Sequence, residues 1–199
     1  SQNEIYEIRR GDLHGALRAV RRRENLARPC EFRRRGQKGV ADDRDLARIV
    51  RDFGQPPLWA RPRGFPTLVR IILEQQVSLA SAAALFARLE RHFDGSLTPA
   101  CVAAHGEPAL LALGLTRQKA RYVVGLATQI EAGDLSLERI ARLPDVAAEH
   151  ALLQVPGIGP WTAGVYLLMA LRRPDVWPPG DLGLHKSLAE VRGLPTVPA

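Results

Sequence analysis

Cysteine is nearly missing from this sequence: 199 residues hold two, Cys30 and Cys101. They lie far apart and outside any metal-ligand spacing, so neither a four-cysteine iron–sulfur cluster nor a zinc ribbon can be built from them. Both are expected to be free, partly buried thiols. Lysine is almost as scarce, because only Lys38, Lys119 and Lys186 stand among the 28 basic residues. Schiff-base chemistry is thereby limited to three side chains. No apolar run approaches the roughly 20 residues that a bilayer-crossing helix needs. The N-terminus has no hydrophobic segment of a secretory leader. A cytoplasmic protein with no membrane partner is the expectation. Strand-like alternation of apolar and polar residues is also missing.

What is present suits a helical globular protein. Hydrophobic residues make up 46% and charged residues 25%, enough apolar material for a substantial core at this length. The net charge of +7 points towards a polyanion, but its distribution decides where. Residues 1–40 hold 11 Lys+Arg against 5 Asp+Glu, which leaves 17 against 16 for the rest. The excess therefore belongs to residues 1–40, with Arg21-Arg22-Arg23 and Arg33-Arg34-Arg35. This stretch reads as a basic extension, expected to be disordered apart from a short helix over 12–23. It is either a DNA-contacting arm or a solvated tail. Residues 41–199 form the folded region.

There the pattern is helical throughout, and the fold class is all-α, a bundle of several short helices. Asp42 or Asp43 can cap a helix carrying Leu46, Ile49 and Val50, with Gly54 ending it. Pro66 suits the first turn of the next helix, before Leu68, Val69, Ile71, Ile72 and Leu73. Ser78 can cap a third, with Leu85, Phe86, Leu89 and Phe93 on one face. Further helices are expected near 107–113, 116–132, 136–142, 145–154 and 182–191. The run 163–171 is apolar on every side and is expected to be the buried central helix.

Chemistry concentrates late in the chain. A helix ending near Gln154 is followed by Val155-Pro156-Gly157-Ile158-Gly159, and a new helix starts at Pro160. Gly157 and Gly159 permit positive φ and close backbone approach, and Pro160 at the first turn leaves no amide unsatisfied. The other amides at that helix start carry the positive end of its dipole, a site suited to a phosphate without any basic side chain. Pro156, Gly157, Ile158, Gly159 and Thr162 are the candidate phosphate-binding residues. A plain tight turn between two helices is the competing reading. Downstream, Trp177-Pro178-Pro179-Gly180-Asp181 forms a stiff turn into another helix. Asp181 is a helix N-cap, a catalytic carboxylate, or both.

Residues 152–188 resemble the helix-hairpin-helix and Gly/Pro-rich-loop aspartate motif of the HhH-GPD DNA glycosylase superfamily. Ile71-Ile72-Leu73-Glu74-Gln75-Gln76-Val77-Ser78 and Leu115-Thr116-Arg117-Gln118-Lys119-Ala120 resemble its 3-methyladenine glycosylase II branch, and the likeness extends over about residues 41–195. The resemblance implies an enzyme of base excision repair that excises alkylated purines from double-stranded DNA, acting as a monomer. Asp181 would be the catalytic aspartate. The hairpin would anchor a phosphate, and the carbonyls of Leu153, Val155 and Ile158 would be able to hold a monovalent cation. No other cofactor and no iron–sulfur cluster are implied. Trp161 occupies the position where bifunctional members carry a nucleophilic lysine, so base release without strand cleavage is expected. Its indole would stack on the flipped base. Gln75 and Gln76 fall where this branch inserts a side chain into the duplex.

Plainer roles compete for each. Trp161 can be core, the glutamines can cap or solvate a helix end, Tyr166 is expected to pack in the bundle, and His185 is expected on the surface. The chain also stops 18 residues after Asp181, and the domain is expected to be truncated there. Two further functional readings stay open. One is a non-catalytic or degenerate helix-hairpin-helix DNA-binding module. The other is a glycosylase acting on deaminated or mismatched bases.

Overall fold

Side-chain caps and apolar stripes divide the chain into short helices joined by Gly- and Pro-containing turns. The structure, a computed structural model, describes residues 42–57 and 59–195. The basic extension and Cys30 therefore lie outside the described residues, as does the C-terminal tail. Cys101 is a free, half-buried thiol.

In chain order the α-helices are α1 (Arg44–Phe53), α2 (Phe65–Glu74), α3 (Leu79–His92), α4 (Pro99–Ala112), α5 (Arg117–Glu131), α6 (Leu137–Ile140), α7 (Asp145–Leu153), α8 (Pro160–Val165) and α9 (Leu182–Arg192). A π-helical turn, Tyr166–Ala170, continues α8 directly. No strand occurs among the described residues, in agreement with the all-α expectation. The caps are local and physical. Asp43, Ser78, Thr98, Thr116, Ser136 and Asp181 each accept a backbone amide with the side-chain oxygen, satisfying donors that the first helical turn leaves open.

The described residues form two compact units, one of residues 42–57, 59–60, 172–175 and 180–195, the other of residues 61–171 and 176–179. In the first, the Arg192 guanidinium near the end of α9 pairs with Asp43 and Asp45 at the start of α1. The Leu46 amide, then the Arg192 guanidinium and the Asp45 amide, hold the Asp43 carboxyl below its usual range.

In the second unit α2 is the most deeply buried element. Its residues Leu68, Val69, Ile71, Ile72 and Leu73 are fully covered, because α3, α5, α8 and the π-turn all pack against it. The apolar run 163–171 is mostly buried as expected, but it shares the centre with α2 and is not a regular helix. Its second half widens into the π-turn, where the Leu171 amide donates to the Tyr166 carbonyl at 3.1 Å. The Tyr166 side chain packs in the bundle, and its hydroxyl accepts the Gly64 amide at 3.1 Å. Burial raises the pKa of that phenol.

The expected helix at 107–113 is the second half of a longer one. α4 begins at Pro99, and its backbone leaves helical geometry at Gly106 (φ +67°, ψ −172°) just before Pro108. A proline cannot supply the amide that would carry the ladder across that point.

Candidate functional site

The hairpin is built by two buried side chains and one obligatory glycine. Val155 and Ile158 are 3% and 4% exposed and pin the turn into the core. The Ile158 amide donates to the Val155 carbonyl at 3.0 Å, closing the turn. Gly157 has φ +89°, and a Cβ there would lie 2.3 Å from Cγ of Tyr122. Both its backbone conformation and its contact with that ring demand glycine. Gln118, one turn earlier on α5, donates to the Tyr122 hydroxyl at 2.8 Å.

Gly159 differs from expectation. Its φ of −89° and ψ of 179° are extended values open to any residue. A Cβ there would meet nothing within 4 Å, so the space over it is open. Thr162 also departs from its expected phosphate role, at least for its side chain. It is 2% exposed, and its hydroxyl accepts from Gln75 Nε2 at 2.8 Å. The hydroxyl is turned inward.

The two glutamines part company. Gln75 Nε2 donates both to Thr162 Oγ1 and to the Gly157 carbonyl, the latter at 2.9 Å. Both amide hydrogens are thus committed to the hairpin, and Gln75 is not placed to enter a duplex. Gln76 follows with φ +55° and an exposed side chain. Only Gln76 is presented outward.

Sequence reasoning missed Lys119. Its Nζ donates to the Leu73 carbonyl at 2.7 Å and the Gln75 carbonyl at 2.9 Å, capping the C-terminal end of α2 from the first turn of α5. Burial pulls its pKa below the ordinary 10.5, but the ammonium serves here as a cap. A basic residue in the first turn of one helix was the only hint, and which helix end it reaches depends on tertiary packing.

Trp161 is half-buried at the first turn of α8 and packs against the core. Further along α8, Gly164 lets the Trp177-Pro178-Pro179 segment cross closely, since a Cβ there would lie 2.8 Å from Pro178 Cα. Asp181 belongs to the other unit. It is half-buried and caps α9, its Oδ1 accepting the Leu184 amide at 3.0 Å. His185, one turn on, is 8% exposed, so it is a buried residue and not the expected surface histidine. A histidine at the fourth position from a cap can turn to the core side of its helix, which spacing alone does not reveal.

Of the three carbonyls expected to hold a monovalent cation, that of Val155 accepts the Ile158 amide. Among the described residues, no cluster of three or more His, Cys, Asp or Glu could hold a metal.

The hairpin's architecture agrees with a family-level comparison. The model of the HhH-GPD superfamily base excision DNA repair proteins matches residues 69–199. The chain belongs to this superfamily. Among HhH-GPD relatives, the DNA-3-methyladenine glycosylase of Bacillus subtilis is 32% identical over 144 residues, 67% of this chain and 48% of that protein. The DNA-3-methyladenine glycosidase of Bacillus halodurans is 30% identical in a solved structure, with a TM-score of 0.68 over 77% of this chain and 71% of that one. The 3-methyladenine DNA glycosylase of Schizosaccharomyces pombe, solved in complex with abasic DNA, is 25% identical, with a TM-score of 0.68 and 79% of each chain covered. The chain spans about half the length of the curated relatives it matches, 48% and 56% for two from Bacillus subtilis.

Proposed function

We propose that this HhH-GPD protein is a DNA glycosylase that releases alkylated purines of the 3-methyladenine type from double-stranded DNA. The observation that carries the reading is the hairpin itself. Its turn is locked from inside by Val155, Ile158 and the Tyr122 ring, while the face over Gly159 stays open. An open, rigid turn at a helix start suits a backbone phosphate, held by amides and the helix dipole. The relatives' names support the substrate class.

In the proposed reaction the damaged nucleotide rotates out of the stack. Gln76, exposed at a left-handed turn, fills the gap it leaves. The Trp161 indole stacks on the extruded base, and a cationic alkylpurine adds attraction of roughly 0.5–2 kcal/mol. The bond between C1′ and the base nitrogen breaks, its electron pair leaves with the base, and the base departs neutral. The Asp181 carboxylate stabilises the positive charge left on the sugar and takes a proton from the water that adds to C1′. An indole at position 161 and a lysine at 119 used as a helix cap favour base release without strand cleavage. The carbonyls of Leu153, Val155 and Ile158 would hold a monovalent cation beside the phosphate.

One observation favours a DNA-binding module without chemistry: Asp181 already serves as a helix cap. Asp181→Asn separates the two readings, because asparagine caps as well as aspartate but carries no charge. Incubation with duplexes carrying alkylated bases, then hot alkali, reveals abasic sites. The enzyme reading expects base release to fall by at least about 100-fold with duplex affinity retained. Equal release by both proteins would remove Asp181 from the mechanism, and no release by the parent on any lesion would leave the binding module.

A further inference from the structure

Gln75, Lys119 and Tyr122 join three elements that are far apart in sequence. The Gln75 side chain ends in a single NH2 group, and both its hydrogens are used on the hairpin, at the Gly157 carbonyl and the Thr162 hydroxyl. Its backbone carbonyl is held by Lys119 Nζ, which also holds the Leu73 carbonyl. Three residues along α5, on the same helical face, the Tyr122 ring packs against Gly157. The end of α2, the hairpin and the first turns of α5 thus form a closed triangle of contacts. The residue immediately after Gln75 is Gln76, exposed and held at φ +55°.

We propose that Gln75 is a positioning residue, which registers the hairpin against the turn at Gln76 so that the phosphate-gripping and duplex-entering elements keep one fixed spacing. The functional half of this inference rests on the glycosylase reading above. The residue type follows from the geometry. Two acceptors, a carbonyl and a hydroxyl, face one side chain, and only a terminal amide or a cation supplies two donors there. Glutamate would set a carboxylate against both acceptors. Asparagine is one methylene too short. Misplacement of such elements by about an ångström is enough to cost a catalytic site two orders of magnitude, so a brace this local can act on rate without touching a reacting atom.

The test uses the full chain and Gln75→Met, which removes both bonds at nearly constant volume, with Thr162→Val as a milder second variant that removes one. Amide hydrogen exchange is read by mass spectrometry on the free protein. Exchange in residues 155–163 should quicken on the order of tenfold in Gln75→Met, less in Thr162→Val, and no further in the double variant. Exchange in α3 should stay as in the parent. Single-turnover excision from an alkylated duplex should fall about tenfold in Gln75→Met, with affinity for undamaged duplex within about threefold of the parent. Unchanged exchange in the hairpin overturns the proposal, as does exchange that quickens equally in α3, which marks general loosening. Parental excision rates from a loosened hairpin overturn it too. Because exchange is measured without DNA, a parent protein that excises nothing would refute the glycosylase reading and leave the registering role standing.

Discussion

Gly157→Ala puts the hairpin to a quantitative test, because two separate penalties fall on one methyl group. The native φ of +89° lies where an L-residue is strained, at a cost of roughly 1–2 kcal/mol. The added Cβ would sit 2.3 Å from Tyr122 Cγ and 2.5 Å from Cδ2, against an optimum of about 3.5–4.0 Å. The clashing atoms include Tyr122 Cβ and Cγ, at the root of the side chain, so relieving the overlap must move the turn or α5, a further 1–3 kcal/mol or so. The sum, about 2–5 kcal/mol, is a large part of the roughly 5–15 kcal/mol that holds a typical domain together. Urea unfolding followed by far-ultraviolet circular dichroism measures it as a lower midpoint at unchanged slope. Tyr122→Ala removes Cγ and Cδ2 but leaves Cβ, which is itself 2.7 Å from the added methyl. The double variant should therefore recover part of the overlap cost and none of the backbone cost. Gly159→Ala is the control. With φ at −89° and nothing within 4 Å, it should match the parent or gain up to about 1 kcal/mol. Its methyl would intrude on the open face, so duplex binding should weaken on the proposed reading. A Gly157→Ala protein within about 0.5 kcal/mol of the parent, or a Gly159→Ala protein as damaged as Gly157→Ala, would refute this account of the turn.

Two other outcomes follow from contacts in the second unit. Gly164→Ala places a methyl 2.8 Å from Pro178 Cα; a backbone atom cannot swing aside, so stability should drop by about 1–3 kcal/mol in thermal unfolding, and an unshifted midpoint would show that residues 176–179 do not cross that closely. Tyr166 bears on alkaline stability, since burial raises its folded-state pKa above the ordinary 10.0. The unfolded chain then loses its proton first, so stability is intact below pH 10 and is lost as pH climbs from there through the folded value. Tyr166→Phe should flatten that fall while sacrificing the hydroxyl that accepts the Gly64 amide; an identical alkaline slope in both proteins would contradict the assignment.

How far residues alone reached is clearest at particular places. Asp43, Ser78 and Asp181 cap helices as expected, because a short polar side chain beside open amides is a local interaction. The first half of α4 escaped notice since Ala-Cys-Val-Ala-Ala-His has no amphipathic stripe, although Thr98-Pro99 is itself a start signal. The second half, expected near 107–113, follows the break in helical geometry at Gly106. The π-turn was out of reach: widening of the ladder at Tyr166 answers to packing, and no residue type encodes it. At the candidate site, Gly157 and the hairpin were legible from spacing. Gln75 and Gln76 are chemically identical neighbours, and only a reversal of φ between them sends one inward and the other out. Lys119 and Tyr122 reach the turn from α5, a long-range meeting that no window of sequence displays.

The ion pairs of α2 bear on how an arginine-rich chain meets a polyanion. Glu74, with a side chain only 6% exposed, binds Arg61 at 2.8 Å and Arg70 at 3.3 Å. Arg70 also lies over the Phe86 ring. A guanidinium already neutralised by a covered carboxylate displaces few condensed ions when DNA arrives. Each phosphate neutralised by a side chain adds roughly 0.9 to the slope of log affinity against log salt, so these two arginines, which share one carboxylate and keep a single net positive charge, should add about one such increment rather than two. A grip made by hairpin amides adds less than an equal number of basic side chains would. The ionic-strength dependence of residues 42–195 should accordingly be shallower than their arginine content suggests, and the steeper part of any measured slope should trace to residues 1–40, where the net positive charge resides.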